Sequence, residues 1–264
     1  MKRNYLLITI LFFTVFFSCK NQEKNTTETE EWVSIFNGKN LEGWTPKING
    51  YQLGDNYKNT FRVQNGILKV SYSNYDTFTN QFGHIFYKNT FQKYKLKLQY
   101  RFVDQQVSGG EAWATKNSGI MLHCQDPKTM LLNQEFPISL EAQLLGGVDK
   151  TIQRPSGNLC TPGTHVEMRN KKITDHCIIS SSETYYDNQW ITAEVRVTDS
   201  IIEHYINSKL VISYTNPTIG GQFLETASKE IQAKDGQKLK GGFISLQSES
   251  HPIEFKNIQI LELK

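Results

Sequence analysis

The sequence lacks several features that define common classes of protein. Its 264 residues carry a net charge of only +3 and show no clustered basic face, so nucleic acid is not an expected partner. No sequence repeat is found, which argues against a propeller or a β-helix. Long helical patterns of apolar residues are missing, and no Ser-His-Asp constellation or standard zinc spacing stands out. What remains is a non-repetitive chain with the pattern of a β protein.

Long apolar runs are confined to the N-terminus. Residues 5–17 form the run YLLITILFFTVFF, which follows a basic start and is too short to span a bilayer. We predict a signal peptide at 1–18 and a polar tether at 19–31. The Ser-Cys pair between them resembles the lipobox of bacterial lipoproteins, although Phe16 stands where Leu is usual. We expect lipidation of Cys19, with ordinary cleavage that leaves its thiol free as the alternative. Either way the protein is exported, and a lipidated form would be anchored in the periplasm or outer membrane.

Cysteine is scarce, with four residues in the whole chain. Apart from the lipidation candidate, Cys160 and Cys177 lie 17 positions apart around a turn-rich segment. In an oxidising compartment this spacing favours a disulfide. The alternative is a metal site formed by both cysteines with His165 and His176, although their spacing matches no standard zinc pattern. Cys124 alternates in phase with the apolar residues of its strand, so we predict a buried free thiol.

Period-two patterns recur along the rest of the chain and predict strands. The segment IIEHYINSKLVISY has the pattern of a hairpin that turns at Asn207 and Ser208, and one short helix is expected at 223–231. About a dozen such strands with alternating faces favour a two-layer sandwich, in a single domain at 32–264. The clearest strand patterns are GILKVSY, YKLKLQYRF, WITAEVRVT, GGFISLQSES and IEFKNIQILEL.

Three of the predicted strands carry polar side chains that can bind a ligand or transfer a proton, on the face opposite the apolar one. They are NSGIMLHCQ, ISLEAQLLGG and GFISLQSES. If these strands are neighbours, one groove is lined by His123, Gln125, Glu141, Gln143, Gln247 and Glu249. Such a groove suits a sugar, because carboxylates, amides and an imidazole can all bind hydroxyl groups. The alternative for each residue is the wet face of a half-buried sheet, and for the histidine a hydrogen-bonded structural role.

Four separated segments carry a family resemblance. SIFNGKNLEGW, NSGIMLH, SLEAQLLGG and GGFISLQSESHPIEFKNIQIL resemble, in this order, the motifs of the bacterial 3-keto-disaccharide hydrolase family. The resemblance extends over residues 32–264. It implies a concanavalin-like, all-β jelly-roll sandwich of two antiparallel sheets, without a cofactor, although this fold class sometimes carries a structural calcium. It also implies glycoside substrates that a partner oxidoreductase has oxidised at the sugar C3.

The resemblance also implies a reaction and residues for it. A ketone at C3 acidifies the C2 proton, so that a base removes it, the C1 substituent leaves, and water then adds to the enone. On this basis Glu141 is the expected general acid/base and His123 the second proton carrier. His123 stands where many members have Arg, and the segment with Glu249 and His251 departs from the common His-Gly pair. The residues expected to bind substrate are Gln143, Gln125, Asn117, Gln247, Glu249 and His251.

Two other functions remain open at the level of sequence. An ordinary glycoside hydrolase of laminarinase-like fold would need two carboxylates, and Glu249 could be the second only if the fold brings it near Glu141. A non-catalytic carbohydrate-binding lipoprotein could use the same groove to hold glycan without cleaving it.

Overall fold

Alternation of buried and part-exposed side chains organises the strands of the computed structural model, which describes residues 31–264. In the strand Tyr94–Phe102 every second side chain, beginning with Tyr94, is buried, and the polar ones between them are part-exposed. A strand of this kind directs its apolar side chains to one face, which can pack on a second sheet. The described residues form one compact unit.

The described residues contain 17 strands, one short α-helix and four 3₁₀ turns. The strands are β1 (Val33–Ser34), β2 (Trp44–Ile48), β3 (Phe61–Gln64), β4 (Ile67–Val70), β5 (Gly83–Phe91), β6 (Tyr94–Phe102), β7 (Asn117–Cys124), β8 (Leu140–Leu145), β9 (Asn158–Cys160), β10 (Thr164–Met168), β11 (Lys171–Ile173), β12 (Cys177–Ile178), β13 (Ile191–Val197), β14 (Ile202–Ile206), β15 (Lys209–Ile219), β16 (Gly242–Ser248) and β17 (Ile253–Glu262). The 3₁₀ turns are Tyr57–Asn59, Ala112–Ala114, Pro127–Thr129 and Leu224–Thr226, and α1 is Lys229–Gln232.

The strands form two antiparallel sheets. The larger sheet has the order β11-β10-β15-β14-β13-β6-β17-β4-β3, with β1 paired to β17. The smaller sheet has the order β12-β9-β8-β7-β16-β5-β2. Their facing apolar side chains form the main core, to which β6 contributes Leu96 and Leu98 and β8 contributes Leu140 and Leu144. The predicted all-β jelly-roll sandwich of two antiparallel sheets is confirmed.

Two local predictions can be compared with the structure. The β14–β15 hairpin turns at Asn207 and Ser208, whose φ angles of 48° and 67° are those of a tight hairpin turn. The predicted helix at 223–231 is present as two shorter pieces, the 3₁₀ turn Leu224–Thr226 and α1. Ser228 begins α1 by accepting a hydrogen bond from the Ile231 N–H at 3.4 Å.

The predictions for the N-terminus concern residues that the structure does not describe. The signal peptide (1–18), Cys19 and the tether (19–31), apart from its last residue, lie outside the part of the chain that the structure describes. Within residues 31–264, no helix is both long enough and apolar enough to cross a membrane.

Candidate active site

The outward face of the smaller sheet forms the floor of a cavity of about 420 Å³. Strand β8 shows why: its Leu140, Ala142 and Leu144 side chains point into the core, so Glu141 and Gln143 point the other way. The lining side chains are Trp113, Asn117, Glu135, Phe136, Glu141, Gln143, Leu145, Arg154, Cys160, Pro162, His176, Cys177, Phe223 and Glu249. Of the residues predicted to form the groove or bind substrate, Glu141, Gln143, Glu249 and Asn117 are brought together here.

Gly119 makes room for the carboxyl group of Glu141. On β7, Gly119 lies beside Gln143, and Met121 lies beside Glu141. A Cβ atom at Gly119 would come within 2.7 Å of the Glu141 Cγ and 2.8 Å of its Cδ. The absence of a side chain on β7 therefore lets the Glu141 side chain lie across the neighbouring strand.

Glu141 and Glu249 form a buried carboxyl pair. Their residues are only 6% and 3% exposed, and the Glu249 Oε2 atom has no hydrogen-bond partner. Burial raises the pKa of Glu141 to about 8. Burial also raises the pKa of Glu249 well above its ordinary value, and repulsion from Glu141 raises it further. At neutral pH the pair is therefore expected to hold at least one proton.

Amide groups lie on the same face of the smaller sheet. The Gln143 Oε1 accepts a hydrogen bond from Asn158 Nδ2 at 3.0 Å, so its side chain is held in place. Gln247 is fully buried and neither of its amide atoms has a partner, and the Asn117 Oδ1 is also unpartnered. Buried polar groups are normally hydrogen-bonded, so the unpartnered Oδ1 of Asn117, a residue that lines the cavity, indicates a place for a ligand hydroxyl group or for water.

His84 is a further polar residue beside these amide groups, and the sequence pattern did not indicate it. It lies on β5 between Gln247 of β16 and Lys47 of β2, and neither of its ring nitrogens has a partner. Burial, reinforced by the charge of Lys47, lowers the pKa of His84 to about 3, so its ring is neutral at pH 7. The Lys47 Nζ is tied to the carbonyl oxygens of Ile48 and Leu132 at 3.1 and 3.0 Å.

The prediction that His123 shares the groove with Glu141 is wrong. His123 has a φ of 51°, and the pairing of β7 with β16 shifts register at this point. Such a bulge reverses the faces of the residues that follow. The His123 Nε2 lies 3.3 Å from the Gln92 carbonyl oxygen, and its ring packs beside Tyr94, outside the Glu141 cavity. It cannot serve as the second proton carrier from this position.

The same bulge changes the surroundings of Cys124. The residue is a buried free thiol, as predicted, but it packs in a cluster with Met121, Met130 and Phe86. The expected phase with the apolar residues at the start of the strand is therefore wrong. Its Sγ lies 3.6 Å from the Ser245 Oγ.

Three predicted substrate-binding residues, Gln125, His251 and Gln247, are not among the residues that line the cavity. The Gln125 Oε1 accepts hydrogen bonds from the Ile138 N–H and the Gln134 Nε2, both at 2.8 Å, so its side chain supports a loop. His251 is buried with its ring edge-on to Phe102 at 5.7 Å, and neither ring nitrogen has a partner. None of these three residues is therefore positioned on the cavity surface that a substrate would contact.

Cys160 and Cys177 form the predicted disulfide, with an S–S distance of 2.07 Å. The bond joins register partners on β9 and β12 and forms part of the cavity wall. Because both thiols are consumed, the alternative metal site that used them as ligands is contradicted. Among the described residues, no group of three or more His, Cys, Asp or Glu side chains could hold a metal ion.

A chain of aromatic rings, here called the aromatic wall, borders the cavity. It was missed in the sequence because its members come from separate segments with no shared periodicity. Successive ring centroids are 5.7 Å (Trp113–Phe82), 5.5 Å (Phe82–Phe136), 5.4 Å (Phe136–Phe223) and 5.0 Å (Phe223–His176) apart. Apart from Phe82, every member lines the cavity directly.

The fold and the site define a β-sandwich protein whose cavity combines a carboxyl pair, amide groups and aromatic rings. The chain belongs to the family of the 3-keto-alpha-glucoside-1,2-lyase-like domain, whose model matches residues 31–261. This membership indicates a carbohydrate-active enzyme that acts at glycosidic bonds.

Two solved structures from Parabacteroides distasonis ATCC 8503, each described as a "putative glycosyl hydrolase", are similar to this chain. One is 19% identical with a TM-score of 0.53, covering 89% of this chain and 95% of its own. The other is 19% identical with a TM-score of 0.52, covering 88% and 100%. At this identity the likeness supports the fold. A search of curated proteins found no match.

Proposed function

We propose that the protein cleaves the glycosidic bond of 3-keto-glycosides by elimination followed by hydration. The observation that carries the proposal is the Glu141–Glu249 pair on the cavity floor. Two carboxyl groups of raised pKa can hold one proton between them, and this is the protonation state that combined base and acid catalysis requires. The family match to a 3-keto-glucoside lyase domain supports the choice of substrate.

The reaction needs one base and one acid. The ionised carboxylate takes the C2 proton, and the C2–H electrons form an enolate with the C3 ketone. The enolate then collapses, a C1=C2 double bond forms, and the C1–O bond breaks with its electrons on the leaving oxygen. The protonated carboxyl gives its proton to that oxygen. Water adds to C1 of the enone and a proton returns to C2, so that the products are the 3-keto sugar and an alcohol.

Glu249 takes the role that the sequence had suggested for His123. The two carboxyl groups share one cavity, whereas the imidazole lies outside it. The unpartnered Asn117 Oδ1 is proposed to accept a hydrogen bond from a sugar hydroxyl group. Hydrogen-bond donors aimed at the C3 oxygen would stabilise the negative charge that develops on it.

The cellular context is part of the proposal. A substrate with a C3 ketone must be made by an oxidoreductase that acts on sugar hydroxyl groups, so such an enzyme is the proposed functional partner. The short apolar run and Cys19 support export and attachment to the membrane by a lipid anchor, in the periplasm or outer membrane.

An ordinary glycoside hydrolase is the second candidate, because the structure supplies the second carboxyl group that this mechanism needs. Glu249 and Glu141 line the same cavity, as the paired acids of such enzymes do. The two candidates differ in their substrate: the hydrolase cleaves the unoxidised glycoside, whereas the elimination requires the ketone.

The test compares a 3-keto-glucoside with its unoxidised parent, with products followed by NMR. We expect cleavage of the ketone alone, and Glu141→Gln and Glu249→Gln should each lower the rate by about 10²-fold or more. Glu194→Gln, on the outer face of β13, is the matched control and should retain full activity. Cleavage of the parent would support the ordinary hydrolase, and binding without cleavage of either compound a non-catalytic module. Full turnover by Glu141→Gln would remove Glu141 from the mechanism.

A further inference from the structure

The polarity of the cavity differs between its floor and the aromatic wall. The floor carries the hydrogen-bonding groups of Glu141, Glu249, Asn117 and Gln143. The wall offers ring faces, and beside it lie Pro162 and the disulfide. A glycoside has the same two parts, a sugar that needs hydrogen bonds and a leaving group whose polarity varies from one compound to another.

Trp113 is the most exposed part of this wall. Its residue is 52% exposed, and with Phe136 and Phe223 it belongs to a continuous apolar surface of the kind that marks a ligand groove. Phe82, which is buried, stacks on the indole with an interplanar angle of 18°. This stacking fixes the plane of the indole and leaves the opposite ring face free. Because Trp113 also lines the cavity, that free face is available to a ligand.

The wall offers few hydrogen-bonding partners to a leaving group rich in hydroxyls. A hydroxyl group that is buried without a hydrogen bond is destabilising, and a second sugar would bring several hydroxyl groups into this part of the cavity. Besides the groups of the floor, the polar lining residues are Glu135, His176 and Arg154, and the Arg154 Nη1 already donates to the Thr115 and Gly146 carbonyl oxygens at 2.7 Å each. Burial lowers the pKa of His176, and its Nδ1 has no partner, so the neutral ring offers one hydrogen-bonding position. A few polar groups at the border of a mainly aromatic surface match a phenol better than a sugar with hydroxyls on every side.

We propose that the cavity takes glycosides of aromatic alcohols, with the sugar on the carboxyl floor and the aryl leaving group stacked on Trp113. This proposal rests on the proposed function for its sugar part and adds the class of leaving group. Aromatic rings stack favourably at ring separations similar to those already present in the wall. Trp113 is thus a specificity-determining residue that acts on the leaving group and takes no part in proton transfer.

The first test measures binding and does not depend on turnover. Calorimetric titration with unoxidised phenyl glucoside and methyl glucoside compares ligands that share the sugar and differ in the aryl ring. We expect the phenyl compound to bind about tenfold more tightly to the wild type, which corresponds to about 1.4 kcal/mol of stacking. Trp113→Ala should remove this preference, and Trp113→Phe should keep most of it. Equal binding of both glucosides by the wild type would overturn the proposal.

The second test separates this proposal from the proposed function. With 3-keto phenyl glucoside, Trp113→Ala should raise KM about tenfold with little change in kcat, whereas KM for 3-keto methyl glucoside should stay within about twofold. Trp190→Ala is the matched control, because Trp190 contacts Arg101 and Lys256 of the larger sheet and does not line the cavity. An equal rise of KM for both substrates, or a lower KM for a 3-keto disaccharide than for the phenyl compound, would overturn the proposal. An aryl preference in binding without cleavage of any 3-keto-glycoside would contradict the proposed function alone.

Discussion

At the scale of single residues, the buried carboxyl group of Glu141 makes the stability of the fold depend on pH. Its carboxyl group lies over Gly119 and near a second buried carboxyl, and burial raises its pKa from 4.5 to about 8. Between these values the folded protein holds a proton that the unfolded chain releases. The free energy of unfolding contributed by this group therefore falls as pH rises through that window and is constant above it.

This linkage predicts that Glu141→Gln gains stability relative to the wild type as the pH is raised. The limiting slope for one proton is about 1.4 kcal/mol per pH unit, and relaxation of the site will make the measured value smaller. The substitution also removes the repulsion by which Glu141 raises the pKa of Glu249, and this contributes part of the gain in stability. Urea unfolding at several values between about pH 5 and pH 8 measures the difference. Glu194→Gln should follow the wild type, and parallel curves for Glu141→Gln would show that the carboxyl group is not buried as described.

At the scale of elements, strand alternation predicts most of the floor and fails where a strand is irregular. Glu141 and Gln143 lie on the predicted face because β8 is regular, and Glu249 follows β16 into the same cavity. The predicted faces of His123 and Cys124 are wrong because a bulge inserts one residue late in β7. A strict two-residue alternation does not predict such a bulge. The aromatic wall depends on loops from distant parts of the chain, whose convergence is decided only by the tertiary fold.

The contact between β7 and β8 gives a prediction that isolates the role of Gly119. Gly119→Ala would place a methyl group against the Glu141 side chain, so we expect a loss of about 1–3 kcal/mol in the free energy of unfolding. In a Glu141→Ala background the clash is removed, and the same substitution should cost much less. A double-mutant cycle by denaturant unfolding measures this coupling. Equal costs in both backgrounds would mean that Gly119 serves the sheet and not the carboxyl group.

At the scale of the whole molecule, the sandwich brings together residues that are far apart in the chain. Strand β7 lies between β8 and β16, and this order places Glu141 and Glu249 in one cavity although about a hundred residues separate them. The order of the family motifs along the sequence predicts that these strands belong to one domain. It does not predict the size of the cavity or the presence of the aromatic wall along one side of it, because both depend on loop packing.

We expect membrane attachment and activity to depend on different parts of the chain. If Cys19 is lipidated, Cys19→Ser in the full chain should move the exported protein from the membrane fraction to the soluble fraction, because acyl chains supply the membrane affinity. Activity per folded molecule should be unchanged, since residues 31–264 contain the entire candidate site. Fractionation followed by immunoblotting, with Cys124→Ser as the matched cysteine control, tests this. Membrane association that persists in Cys19→Ser would show that another part of the chain attaches the protein.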